Sequence, residues 1–235
     1  QNNSKGEVVG CEVLARWHSE DLGTVPPDEF IPISEDTGII VELGYYILEE
    51  AFRTLKDWDN KGIELNQLSI NISMRQFFHT NFVDDVQKLC KKYLNDKLSK
   101  KLIFEMTETT VADDVGALVE KMNKIKECGI RFSMDDFGTG YSSLSYLSKI
   151  PIDELKIDKS FVLELGQAGN DKTIVKTIIN IAKNLGLTIV AEGVETEEQK
   201  DFLTEQECDI LQGYLFSKPV DKEDFEKYII TSLKK

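Results

Sequence analysis

Seven short apolar segments recur along this chain, each followed by a helix-like pattern, and each finishing in charged or amide side chains. Those ends fall at Glu12 and Arg16, Asn71, Glu105 and Glu108, Asp135 and Asp136, Lys156, Glu192 and Glu195, and Gln212. Charges at the ends of many separate strands suit a barrel or an open parallel sheet whose chemistry gathers at one rim. Carboxylates brought together there repel one another at neutral pH unless something positive stands between them. A divalent metal is the economical answer.

The apolar periodicity predicts strands at Val8 to Trp17, Leu68 to Ser73, Lys101 to Thr107, Arg131 to Phe137, Glu154 to Asp158, Thr188 to Glu192 and Asp209 to Tyr214. Helical spacing runs through Ile40 to Trp58, Phe82 to Tyr93, Val115 to Ile125, a short stretch near Ser142 to Leu147, and Lys172 to Leu185. Further helices open at Pro26-Pro27 and near Glu197, and one passes through Phe225 and Ile229. No linker divides the 235 residues, which at 41% hydrophobic can bury one large core. Seven such units favour a modified (β/α)8 barrel, an α/β fold that needs an eighth strand. That strand is expected upstream of Gln1, with Gln1 to Gly6 as a turn into Val8. A doubly wound open sheet is the competing architecture.

A balance of 28 Lys+Arg against 42 Asp+Glu gives a formal charge of -14. This argues against duplex nucleic acid or an anionic membrane as a partner, although bound metal can reverse the field locally for a small phosphorylated ligand. No apolar run reaches the ~18 residues of a membrane span. Cys11, Cys90, Cys128 and Cys208 form no CxxC pair, so reduced thiols in a cytosolic compartment are expected. His18 and His79 lie away from the strand ends, which disfavours imidazole acid–base chemistry.

Phase refines the candidates. Alternation puts Glu12, Leu14 and Arg16 on one face, where Glu12 either pairs with Arg16 or meets a cation while Arg16 contacts a phosphate. Asn71 shares its phase with Ser69 and Ser73 and offers an amide oxygen to a hard cation. Glu105 is in phase with Ile103 and Thr107, whereas Glu108 falls on the other phase, suited to bracing a loop or to the surface. Asp135-Asp136-Phe137-Gly138-Thr139-Gly140 ends a strand in adjacent carboxylates and a Gly-rich loop; an ordinary acidic turn is the alternative. Lys156 either points inward among carboxylates or pairs with Asp158. Glu195 belongs to the site or to a helix start, and Gln212 to a ligand or to the backbone.

Taken together, Glu12-Val13-Leu14, Asn71, Phe104-Glu105-Met106-Thr107-Glu108, Asp135 through Leu144, Leu155-Lys156-Ile157-Asp158, Glu192-Gly193-Val194-Glu195 and Gln212-Gly213 resemble the EAL domain family of bacterial cyclic-di-GMP phosphodiesterases. The likeness runs from Glu12 to Gln212, with Val13 where the signature has alanine. It implies a single barrel over residues 1–235, cut from a longer signalling protein, whose first strand is antiparallel. It also implies hydrolysis of cyclic di-GMP to linear pGpG with two Mg2+ or Mn2+ ions, or else a silent cyclic-di-GMP-binding sensor. Glu12, Asn71, Glu105 and Asp135 would hold one ion, and Asp135, Asp136 and Glu192 the second. Lys156, with Glu192, would orient and deprotonate the attacking water; Leu14, Arg16 and Gln212 would meet substrate. Glu108, assigned to the catalytic set, would brace the loop through Gly138, Thr139 and Gly140, and Glu195 the loop beside it. The implied partners are a second copy of the chain and an upstream sensory or diguanylate-cyclase-like domain. The implied location is the cytoplasm, with membrane anchoring outside this segment.

Overall fold

Among the described residues ten strands place the candidates: β1 (Asn2–Asn3), β2 (Gly10–Val13), β3 (Trp17–Ser19), β4 (Gly23–Val25), β5 (Gln67–Asn71), β6 (Leu102–Thr107), β7 (Arg131–Phe137), β8 (Glu154–Ile157), β9 (Thr188–Ala191) and β10 (Ile210–Leu211). The computed structural model describes residues 1–107, 115–139, 147–165 and 172–232. Eight of these strands form one sheet in the order β1-β10-β9-β8-β7-β6-β5-β2, with every pairing parallel except β1–β10. Its two ends meet at an antiparallel Asn2–Val8 bridge and at a bond from Val9 N to Gln1 O of 2.9 Å, so the sheet nearly closes into a barrel. The open-sheet alternative is thereby set aside.

Two expectations are corrected. The antiparallel strand does not lie wholly upstream of Gln1, because Asn2 and Asn3 pair with Leu211 and Ile210. Gln1 to Gly6 is therefore more than a turn; the turn is tighter, with Gly6 N donating to Asn3 O at 2.9 Å and Gly6 at φ +81. The strand from Val8 to Trp17 is also shorter than its apolar pattern suggests. It stops at Val13, and Trp17–Ser19 pairs instead with Gly23–Val25 in a separate hairpin.

Strand alternation splits the side chains between two environments. Leu68, Ile70, Phe104, Met106, Phe132, Met134, Leu155, Ile157, Ile189 and Ala191 pack outward into the main core beneath the helices. Phe104 and Phe132 meet edge to face with centroids 6.0 Å apart, and Phe77 packs the same way on Phe132 at 6.3 Å. The opposite phase carries Ser69, Glu105, Ser133, Asp135, Glu154 and Lys156, all buried. Ile103, Val190 and Ile210 share that phase, are equally buried, and stand outside the main cluster. Polar groups thus fill much of the barrel interior, where an apolar plug is usual.

The covering helices begin and end where the sequence allows. Pro27 opens the helix Pro27–Thr37, Gly38 at φ 84 closes it, and Thr196 with Gln199 forms a capping box before Glu197–Glu205. All four cysteines are free, and among the described residues no helix is long and apolar enough to cross a membrane.

Candidate metal-dependent active site

Lys156 stands at the centre of the barrel mouth, fully buried. Its Nζ lies 2.7 Å from Glu192 Oε1, 2.8 Å from Glu105 Oε2, 3.1 Å from Asp135 Oδ2 and 3.6 Å from Glu12 Oε2. Each partner comes from a different strand or strand end, so the cluster exists only because the sheet closes. Burial opposes the ammonium charge, but Glu105, Glu12, Glu192 and Asp135 outweigh it and hold Lys156 well above the usual lysine range. The neighbour Asp158 turns elsewhere. It caps the helix Lys159–Leu163, accepting from Ser160 N at 3.0 Å, so Lys156 and Asp158 are not a structural pair.

Glu12 is fixed from two sides. Asn71 Nδ2 donates to its Oε1 at 2.6 Å and Gln212 Nε2 to its Oε2 at 2.7 Å. The Glu12–Arg16 pair does not form; Arg16 is exposed beyond the strand end and donates from Nη1 to Ala15 O at 2.8 Å. Leu14 is also past the strand and exposed.

Asp135 and Asp136 would point to opposite faces of a regular strand. The β7–β8 register shifts between Met134 and Phe137, and Asp136 adopts φ 55, a conformation rare outside glycine. This bulge brings both carboxylates to one side, where Asp135, Asp136 and Glu192 each offer an oxygen within 4.8 Å of the others. Burial, then the charges of Asp135 and Asp158, push the Asp136 carboxyl up to about 6. Burial likewise takes Glu192 to about 7 against the pull of Lys156, with Asp135 and Glu12 adding to the rise. Asp158, which the sequence offers only as a partner for Lys156, faces Asp136; its Asp-x-Ser helix cap with Ser160 is the signal of this other placement.

The loop candidates divide. Gly138 sits at φ +100 against the Phe161 ring, and Thr139 Oγ1 donates to Asp136 O at 2.9 Å, steadying the bulge. Glu195 is exposed one residue before the Thr196 cap, its N–H donating to Gln199 Oε1 at 2.7 Å. Glu108 and Gly140 lie outside the described residues.

An ion-sized need is visible in the donors themselves. Among the described residues Glu105 Oε1 and Gln212 Oε1 are buried with no hydrogen-bond partner, and four carboxylates (Glu12, Glu105, Asp135 and Glu192) gather around one ammonium with Asp136 beside two of them. Burial, together with Glu12 and Asp135 and against Lys156, raises the Glu105 carboxyl well above the ordinary range. Oxygen-only donors with excess negative charge fit hard divalent cations.

Known proteins resemble this chain in sequence and in fold. MucR of Pseudomonas aeruginosa, a bifunctional diguanylate cyclase/cyclic di-GMP phosphodiesterase, is 40% identical over 218 residues, covering 93% of this chain and 32% of MucR. NbdA of the same organism, a cyclic di-GMP phosphodiesterase, is 35% identical over 224 residues, covering 95% of this chain and 28% of NbdA. The chain therefore spans about a third of the length of these relatives. A solved PaMucR phosphodiesterase in complex with c-di-GMP superposes with a TM-score of 0.89 at 39% identity, over 95% of this chain and 90% of that one. The EAL domain model matches residues 1–219, and the chain belongs to the EAL domain family.

Proposed function

We propose that this chain hydrolyses cyclic di-GMP to linear 5′-pGpG, using two Mg2+ or Mn2+ ions. The observation that carries the reading is the convergence of Glu12, Glu105, Asp135 and Glu192 on Lys156, with Glu105 Oε1 left without a partner among the described residues. The names of MucR and NbdA and the c-di-GMP complex of PaMucR supply the substrate class.

Glu12, Asn71, Glu105 and Asp135 are the residues to hold one ion, and Asp135, Asp136 and Glu192 the second. Bound there, the ions supply Lewis-acid activation of water and neutralise charge on the phosphoryl oxygens. Lys156, buried and cationic, offers N–H donors to orient the attacking water and to stabilise the charge growing on phosphorus. Glu192, an interior carboxylate 2.7 Å from that ammonium, is placed to take the water's proton. Water adds to phosphorus, the P–O3′ bond breaks, and the 3′ oxygen leaves with a proton, opening the ring at one phosphodiester. Exposed Arg16 and Leu14, with Gln212, are the substrate contacts. Gly138, Thr139 and Glu195 support the surrounding loops, and Glu108 and Gly140 take the same role in this reading. The chain works as a homodimer and as one domain of a longer cytoplasmic signalling protein.

The test is a product-resolved hydrolysis assay with cyclic di-GMP and Mg2+ or Mn2+. Formation of pGpG, abolished in Asp135→Asn and Glu105→Gln, is expected. Tight nucleotide binding without product would mark a silent sensor instead.

A further inference from the structure

Outside the barrel mouth, one helix carries two carboxylates where its own field opposes them. Glu35 and Asp36 sit in the last turn of the helix Pro27–Thr37, the end at which a helix dipole favours cations. A cation does arrive, from another part of the chain. Arg75 Nη1 donates to the backbone carbonyls of Glu35 and Asp36, the latter at 3.2 Å. The Glu35 side chain turns to a different partner: its Oε1 accepts from Ser73 Oγ at 2.5 Å, the short length of a charge-assisted bond. Ser73 is the N-cap of the short helix Met74–Phe77, a position where serine ordinarily accepts from a backbone amide. Its hydroxyl caps none of the described amides of that helix. Both residues thus depart from their local preference to meet each other.

What they hold is the exit of β5. Asn71 ends that strand, and its Nδ2 donates to Glu12 Oε1 at 2.6 Å, so its Oδ1 is the atom it would offer an ion. Ile72 continues the ladder, its N donating to Glu105 O at 2.9 Å, and at Ser73 the chain turns into the helix Met74–Phe77. Asn71 is therefore steered from inside by the sheet and from outside by Glu35. The outer anchor is firmly seated: Phe30 and Ser34 of the same helix are buried, and Phe30 packs edge-on against Trp17 with ring centroids 5.9 Å apart. We infer that Glu35 is a positioning residue for Asn71, fixing the end of β5 through the Ser73 hydroxyl so that the amide meets the first metal ion. The inference rests on the metal-dependent reading of the site.

A double-mutant cycle tests it. Mn2+ is titrated calorimetrically into the wild type, Glu35→Ala, Ser73→Ala and the double variant, with a melting curve for each. Each single change is expected to weaken Mn2+ binding about fivefold, and the double change no more than either alone. Glu35→Gln, which keeps an acceptor for the hydroxyl, is expected to restore Mn2+ affinity to within about twofold of wild type. In turnover, the Mn2+ concentration for half-maximal rate rises about fivefold in Glu35→Ala, KM for cyclic di-GMP stays nearly unchanged, and saturating Mn2+ recovers kcat. Additive losses, a Glu35→Gln protein as weak as Glu35→Ala, or a lowered melting temperature with wild-type Mn2+ affinity overturn the proposal. Should Glu35→Ala fail to fold, Ser73→Ala cuts the same bond from the other side and leaves the helix Pro27–Thr37 intact. A wild type that binds Mn2+ but makes no pGpG defeats the functional reading while the affinity cycle still decides this one. A wild type that takes up no Mn2+ defeats both.

Discussion

At the scale of single residues, Asp136 and Glu192 give the site a pH signature. Their carboxyls are raised to about 6 and about 7, chiefly by burial, so the metal-free fold favours their protonated forms. A raised acid contributes stability in full below its unfolded pKa and loses it as pH climbs through the folded value. Without metal, the contribution of these two groups is expected to fall between about pH 4 and pH 7. Mn2+ binds the ionised forms and must displace those protons, so the rise in melting temperature on adding it should grow over the same interval. Melting curves with EDTA and with Mn2+ across that range check both halves; a Mn2+ shift that is flat with pH would separate these carboxyls from the metal. Residue-level legibility was uneven. Charged side chains at the ends of apolar strands mark Glu12, Glu105 and Asp135 as candidates, whereas spacing leaves Glu12 a pair with Arg16 and Lys156 a pair with Asp158, and only the fold separates both pairs. Glu154 is equally in phase with Lys156 and buried, yet phase alone does not mark it, since a polar residue at a strand start usually meets solvent.

Among the elements, β7 does the most to build the site, and it does so by departing from regular geometry. No alternation pattern foretells that Asp135 and Asp136 face the same way; the register shift and the φ of 55 at Asp136 do that. Asparagine tolerates this left-handed backbone and a β-branched residue does not. Asp136→Asn should therefore melt close to wild type while binding Mn2+ more weakly. Asp136→Val should lose about 1–3 kcal/mol of stability as well. Chemical denaturation separates the two, and equal stability in both variants would remove strain from the account. Gly213 makes a second element-level point: a Cβ there would collide with the backbone of Val194. Gly213→Ala should cost about 1–3 kcal/mol and displace Gln212 from Glu12. A Gly213→Ala protein with wild-type melting and turnover would show that the strand ends move freely. The apolar strands and their helices were legible from period two and period 3.6, whereas β1 was not. Asn2 and Asn3 carry no apolar pattern and are held by backbone pairing to β10 and by the Asn2 amide donating to Gly6 O at 2.9 Å.

For the whole molecule, ring closure and site assembly draw on the same strands. Glu12 lies on β2 and Gln212 just past β10, the two strands flanking β1, and the 2.7 Å bond between their side chains spans that closure beside the carboxylate ring. β1 spans it on the backbone side through Asn2, Asn3 and Gln1. Removing the β1 pairing should loosen β10 from β2 and let Glu12 drift from Asn71, Glu105 and Lys156. A chain lacking residues 1–6 is expected to melt lower than the full chain and to bind Mn2+ at least about tenfold more weakly, about 1.4 kcal/mol. Saturating Mn2+ should recover part of the lost stability, because ligands drawn from distant strands convert binding energy into closure; at about 100 times Kd the recovery is about 2.7 kcal/mol. The informative comparison is Mn2+ affinity against melting temperature for this deletion and for Gln212→Ala, which leaves β1 in place and cuts the side-chain bond alone. If the deletion lowers only stability and Gln212→Ala lowers only affinity, closure and site assembly are separable. Losses in both quantities for both proteins establish that the barrel and its metal centre form as one unit.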